Sequence, residues 1–341
     1  MAGIKKRMGV PAVFIFLFFV WLWCLFAIYF FGLPGNVLPL SAASLFGLGV
    51  PLALIFLPNR RRTVYGVLVL CAFIILGWSL KKPSHDRNWT PSVAKLPRIT
   101  TEGDLIRVHN IRNFDYRTPD DFSVRYYDKT FDLNKLETAD YVLSYWDGNE
   151  AVAHTLISFG FGGGGYLTVS VETRLEQGEP QTGLGGFYKQ YELIYILGDE
   201  RDLLRLRSNF RKEEVFVYPT NFNKKDIRKF FGVIVERINS IADKPQFYNT
   251  ITHSCMSSLT KDFSKVLEVR DPFNYRWLLN GYSAELMFEH GAINSNYGNF
   301  ADTRRFHHIN QYVQADNSGD GYSRKIRPHI KSKTDQGIES Q

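Results

Sequence analysis

Three apolar stretches fill the first eighty residues, running from about Val10 to Phe31, Val37 to Leu57 and Thr63 to Leu80, and none contains an acidic residue. Each approaches the ~20 residues that a helix needs to cross the hydrocarbon core of a bilayer. Pro39, Pro51 and several glycines interrupt the second stretch. A membrane hairpin tolerates them, because neighbouring helices satisfy the freed backbone groups. Three transmembrane helices are therefore expected over residues 1–80, and the rest of the chain must fold around that anchor. The first stretch is too long for a removed signal peptide and lacks a small-residue cleavage site, so it reads as an anchor.

The net charge of +7 does not mark a nucleic-acid binder. Most of the excess comes from two triplets, Lys5, Lys6, Arg7 and Arg60, Arg61, Arg62, at the ends of apolar stretches. Bases placed there report topology. With both triplets in the cytoplasm, the first helix goes out, the second returns and the third leaves again. Lys81 and Lys82 pull slightly the other way but are outweighed. Everything after Lys81 then lies outside the cytoplasm, and no nucleic-acid partner is expected.

Residues 81–104 are polar and carry Pro83, Pro91 and Pro97, the composition of an extended linker. Residues 105–314 read as a mixed α+β domain. Strand-like alternation occurs in LIRVHNIRNF (105–114), YVLSYW (141–146), AVAHTLISFGF (151–161), YLTVSVETRLE (166–176) and YELIYILGD (191–199). Helical spacing occurs over 224–242, where Ile227, Phe230, Phe231, Ile234, Ile238 and Ile241 share a face behind Asn223 as a cap. The polar, aperiodic residues 315–341 read as a flexible tail.

Cys24 and Cys71 fall inside the membrane stretches, which leaves Cys255 without a disulfide partner in its own domain. Such a thiol is either a buried, inert hydrophobe or a reactive group. Thr252 or Ser254 can cap a helix with the core stripe Met256, Leu259, Phe263 and Val266, placing Cys255 in its first turn. The helix dipole and free amides there favour a thiolate and can hold an oxyanion.

His154 lies on a strand with Leu156 and Ser158 on its own side. A lone strand histidine is more often structural than catalytic, but beside a thiol it becomes a candidate base. The run FGFGGGGY (159–166) contains GxGxxG, yet a strand pattern follows where a dinucleotide site demands a helix, so the glycines read as a hairpin turn. Folding that hairpin brings Glu172 or Thr173 opposite His154, depending on a one-residue register. Glu172 then either orients the imidazole or pairs with Arg174 on the surface. The cluster Asp199, Glu200, Arg201, Asp202, Arg205 and Arg207 reads as a solvated or structural ion-pair network. Asp316, Ser318, Asp320 and Gly321 resemble half a calcium loop whose closing glutamate is replaced by Arg327. His307 and His308 lack an evident third ligand, and no metal is expected there.

An ordered set of segments resembles the periplasmic domain of the bacterial Lnb type, a family named for a lipoprotein N-acyltransferase. The segments are IRNFDYR (111–117), AHTLISFGF (153–161), SVETR (170–174), YELIYILGDERDLLRLR (191–207) and YNTITHSC (248–255), and the likeness covers most of 88–290. It aligns Cys255 and His154 with the family's thiol and histidine. Where the family usually shows Asn-Cys-Thr, this chain has Ser254, Cys255 and Met256. The order of histidine before cysteine is similar to the permuted papain-like arrangement of lipid-handling thiol acyltransferases, in which a third polar residue, here Glu172, follows on the next strand.

The resemblance implies an α+β, permuted papain-like domain behind three transmembrane helices, in the bacterial inner membrane with the domain in the periplasm. It implies a cofactor-free thiol acyltransferase with Cys255, His154 and Glu172 as catalytic residues, a membrane phospholipid as donor and a lipoprotein amine as acceptor. Two other readings use the same sequence: a thiol hydrolase acting on a lipid or a cell-wall amide, and a non-catalytic membrane scaffold.

Overall fold

A computed structural model describes residues 10–32, 37–146, 148–163, 165–253, 257–259, 271, 274–315 and 319–328. Cys255, with Ser254 and Met256, lies outside the described residues. The chain divides into two compact units. One takes in residues 1–85 with 181–192 and 247–250, and the other takes in 86–180, 193–246 and 251–341.

The first unit is built on three apolar helices, α1 (Val10–Tyr29), α2 (Val37–Phe56) and α3 (Arg60–Leu80). The side chain of Asn59 caps α3 by accepting from the Arg62 amide at 3.2 Å. Helices α2 and α3 are long and apolar enough to cross a membrane, while Phe14–Tyr29 forms a shorter apolar helix. Leu45, Phe56 and Phe73 point outward into the surroundings, an arrangement that suits lipid far better than water.

The second unit is α+β, as the sequence pattern leads one to expect. Its strands are β1 (Arg98–Glu102), β2 (Leu105–Arg112), β3 (Asp115–Tyr116), β4 (Phe122–Ser123), β5 (Tyr126–Asp132), β6 (Leu136–Tyr145), β7 (His154–Phe161), β8 (Gly165–Arg174), β9 (Glu192–Gly198) and β10 (Glu214–Pro219). An eight-stranded sheet runs in the order β1-β2-β9-β8-β7-β6-β10, with β5 also paired to β2. Strands β7 and β8 form the expected hairpin over the glycine run, with Phe161 opposite Gly165 and Gly163 at φ +92.

Alternation along β7 sends successive side chains to opposite faces. Phe159 and Phe161 pack against Phe231 of α4 (Lys224–Asp243), with ring centres 4.9 and 6.0 Å apart. All six residues of its apolar stripe are buried, and Asn223 caps it by accepting from the Asp226 amide at 3.0 Å. Leu156 faces the other way, into a core with Val142, Ile194, Leu204, Val215 and Ile309. Covering both faces explains why the central strands are buried almost throughout.

Two sequence expectations change here. Residues from Trp89 onward are not an extended linker. Trp89, Val93 and Ile99 are buried, β1 joins the sheet, and Arg174 stacks on Trp89 at 4.2 Å while donating to the Val93 and Ala94 carbonyls. Nor is the stretch 319–328 a flexible tail. It contains a one-turn helix, Tyr322–Lys325, with Tyr322, Ile326 and Arg327 buried.

Arg327 donates to Asp140 at 2.6 Å and 2.9 Å and to Glu200 at 2.5 Å and 2.8 Å, and its guanidinium lies 3.8 Å over the Tyr166 ring. Two carboxylates and one guanidinium satisfy one another in a site closed to water, where each would be costly alone. Arg327→Ala leaves two buried carboxylates facing each other, and breaking such a set costs about 3–5 kcal/mol. Thermal unfolding of the full chain should show a large drop in midpoint, and truncation after Ala315 a similar one. A truncated chain that melts with the wild type would contradict this role.

Candidate active site

The geometry begins with the β7–β8 register. Leu156 lies opposite Ser170 and Ile157 opposite Val169. Continued to the start of β7, that pairing sets Glu172, not Thr173, across from His154. The side chains meet. His154 Nε2 lies 3.0 Å from Glu172 Oε1 and 2.7 Å from Ser170 Oγ. Ser170 Oγ in turn donates to Glu172 Oε1 at 2.6 Å.

A third donor comes from a different part of the chain. A short helix, Glu200–Arg205, runs directly into a single π turn, Leu206–Phe210. Such widened turns are frequent at functional sites. From it Arg207 donates through Nη2 to Glu172 Oε1 at 2.8 Å, and through Nη1 to the Leu203 carbonyl at 2.8 Å. Arg207 is nearly closed to solvent, and Glu213 stands 3.9 Å from its Nε. Glu213 also accepts from Ser144, the residue beside His154 on β6, at 2.5 Å.

Burial works against a charge on Glu172, but His154, Arg207 and Ser170 together hold its carboxyl well below the ordinary range. Glu172 is therefore a carboxylate at neutral pH and can only accept. Ser170 gives its one proton to that carboxylate, so Ser170 can only accept from the imidazole. Both partners thus require the proton to sit on Nε2. In the neutral ring this leaves Nδ1 as the basic nitrogen, the tautomer being fixed by the partners of the other nitrogen.

The backbone around His154 is pinned as well. The side chain of Asn280 accepts from the Ala153 amide at 3.1 Å, donates to the Ala153 carbonyl, and lies 3.1 Å from Thr155 Oγ1. The next residue must be glycine, because a Cβ at Gly281 would fall 2.0 Å from the Glu150 carbonyl oxygen. His154 is thus held from its ring and from both flanking residues.

Of the candidate residues, His154 and Glu172 come together, and Cys255 lies outside the described residues. Ser257–Leu259 are helical with Leu259 buried. Arg174 does not take Glu172 as its partner but serves Trp89 and the 93–94 carbonyls. Ser170 and Asn280 escape the sequence reading, and Arg207 enters it only as part of the 199–207 ion-pair cluster, not as a partner of Glu172. Ser170 alone had a signal, standing two residues before Glu172 on the same strand face. Among the described residues, no group of three His, Cys, Asp or Glu side chains is placed to hold a metal ion.

The low pKa of Glu172 has a consequence for stability. Its folded value lies below the unfolded one, so its contribution is complete above the unfolded carboxyl value of ~4.3 and fades as pH falls through the folded value. Glu172→Gln should cost about 1–3 kcal/mol at neutral pH. The gap in unfolding midpoint between the two proteins should close in strong acid. A gap independent of pH would mean that the carboxylate is not paired as described.

Residues 123–281 match the family model described as the Lnb N-terminal periplasmic domain. No curated protein and no solved structure matches the chain. The matched stretch contains His154, Ser170, Glu172, Arg207, Cys255 and Asn280, and it begins after the IRNFDYR segment. The sequence thus carries two helices long and apolar enough to cross a membrane, followed by a stretch, residues 123–281, that matches the Lnb N-terminal periplasmic domain.

Proposed function

We propose that this protein is a thiol acyltransferase, held in the bacterial inner membrane by three helices, that moves an acyl chain from a phospholipid to an amine such as a lipoprotein N-terminus. The observation that carries the reading is the engagement of His154 Nε2 by Glu172 and Ser170. In the neutral ring that engagement puts the proton on Nε2 and makes Nδ1 the basic nitrogen.

In the first step Nδ1 takes the Cys255 thiol proton and the sulfur attacks the ester carbonyl carbon. The tetrahedral intermediate collapses, the carbon–oxygen bond breaks, and the imidazolium protonates the departing alkoxide to give a lysophospholipid and a thioester. In the second step the acceptor nitrogen attacks the thioester carbonyl and passes a proton to Nδ1. The carbon–sulfur bond breaks, and His154 returns the proton to the thiolate. Glu172 stabilises the imidazolium in both steps, and Arg207 helps keep Glu172 ionised and in place. Membrane tethering supplies the proximity of the lipid donor.

Full-length protein incubated with acyl-labelled phospholipid should retain label as a hydroxylamine-sensitive adduct and pass it to an added amine. Cys255→Ala and His154→Ala should abolish both signals, and Glu172→Gln, which leaves the base in place but unsupported, should lower the rate by about a hundredfold, the low end of what proton transfer by a positioned base supplies. Label released only to water would favour the hydrolase. Undiminished labelling or complementation by Cys255→Ala would leave the scaffold.

A further inference from the structure

The unit that contains the apolar helices also contains two short pieces from far along the chain, residues 181–192 and 247–250. Within it, a turn of 3-10 helix, Gly185–Tyr188, sends Tyr188 into a cluster with Ala27, Phe30, Trp23, Phe26, Ile74 and Trp78. The Tyr188 ring centre is 5.7 Å from Trp23, 6.0 Å from Phe26 and 5.5 Å from Phe30. Trp23 and Phe30 are separated by ~10 Å along a helix. Tyr188 therefore packs along the final two turns of α1, not merely on its tip.

The next residue fastens the same turn to α3. Lys189 adopts φ 55, and its Nζ donates to the carbonyls of Trp78 and Ser79 at 3.2 and 3.3 Å while lying 4.1 Å over the Trp78 ring. A cation on the last free carbonyls of a helix is favoured by hydrogen bonding and by the dipole. The 3-10 turn is thus locked to two helices at the end where each stops. Yet two large apolar side chains on the turn stay exposed, Leu184 at 50 % and Phe187 at 37 %. Tyr29, Phe31 and Leu80, at the ends of the two helices that the turn holds, are exposed as well. Helix ends at that level meet the headgroup zone, where aromatic side chains concentrate.

We propose that residues 184–188 form an interfacial element whose Leu184 and Phe187 insert into the outer leaflet of the bilayer that the helices cross. The occupant of this apolar surface is phospholipid, because the same turn packs through Tyr188 on α1 and bonds through Lys189 to the end of α3, helices whose own outward side chains suit lipid. The element also holds the chain that leads to Cys255. Tyr248 donates its amide to the Tyr191 carbonyl at 2.9 Å, and Thr250 donates its hydroxyl to the Gly183 carbonyl at 2.9 Å. Gly186 has no room for a side chain, since a Cβ would fall 2.3 Å from Thr250 Oγ1. Thr250 precedes Cys255 by five residues. Tyr248 and Thr250 are thereby held on the proposed interfacial element. This inference rests on the membrane topology proposed above and not on the acyl-transfer chemistry.

The test uses the full chain with Cys24→Ala, Cys71→Ala and Cys255→Ala, carrying one added cysteine labelled with an environment-sensitive fluorophore. Labels are placed at Phe187→Cys, at Leu184→Cys as an independent second site, at Phe73→Cys within α3, and at Lys225→Cys on the exposed side of α4. The protein is reconstituted in vesicles of phosphatidylethanolamine and phosphatidylglycerol with a small fraction of doxyl-labelled phosphatidylcholine. Labels at 187 and 184 should be blue-shifted and quenched by the doxyl lipid several-fold more than the label at 225, with iodide showing the reverse order. Lipid quenching at 73 with none at 187 and 184 would overturn the inference and leave the topology standing. No lipid quenching at 73 would overturn the topology, and the inference with it.

Discussion

One carboxylate oxygen organises the candidate site. Glu172 Oε1 receives the His154 ring, the Ser170 hydroxyl and the Arg207 guanidinium within 3.0 Å. A carboxylate removed from water survives only if its partners replace the lost hydration. Here they do so with one permanent cation, one neutral donor and one titratable ring. His154 contributes most to keeping Glu172 ionised, with Arg207 and Ser170 adding to it. In the proposed chemistry Glu172 directs Nε2 and stabilises a proton arriving on Nδ1. In the proposed reading the roles separate: Arg207 and Ser170 help hold the carboxylate, and the carboxylate directs the Nε2 side of the ring, so that Nδ1 is the basic nitrogen.

The same principle builds the frame around it. Arg112 forks onto Asp202, which also accepts from the Phe114 amide and the Tyr116 hydroxyl. Arg327 joins Asp140 and Glu200. Glu200 and Asp202 belong to the short helix that continues into the π turn bearing Arg207. Two buried ion clusters thus fix the helix from which the third guanidinium reaches the site. Guanidinium forks suit this purpose because their donors lie in a fixed plane that matches a carboxylate. Asn280 and Gly281 complete the enclosure from the far end of the matched domain.

Parts of this were legible in the sequence for identifiable reasons. The stripe from Ile227 to Ile241 and the Asn223 cap obey helix geometry locally, with nothing distant needed to read them. The glycine run announced a hairpin, and the hairpin narrowed the partner of His154 to Glu172 or Thr173. The residual ambiguity was physical, since a slip of one residue turns every side chain to the opposite face. Arg207 was hidden, because nothing local distinguishes an arginine bound for a carboxylate 35 residues away from a solvated one. Arg327 deceived in the same way: a polar stretch with a buried arginine has the composition of a mobile tail. Trp89, Val93 and Ile99 were missed because isolated apolar residues among prolines carry no periodicity.

The proposed chemistry requires a thiol at Cys255 that shares a proton with Nδ1 of His154. The most direct test is the pH dependence of alkylation at Cys255 in the full chain, with Cys24 and Cys71 replaced by alanine. An ordinary thiol reacts as it ionises near pH ~8.5. Wild-type Cys255 should react rapidly well below pH 8, and His154→Ala should return it to the ordinary profile, with Glu172→Gln in between. A Cys255 whose reactivity is the same with and without the His154 imidazole would contradict the account.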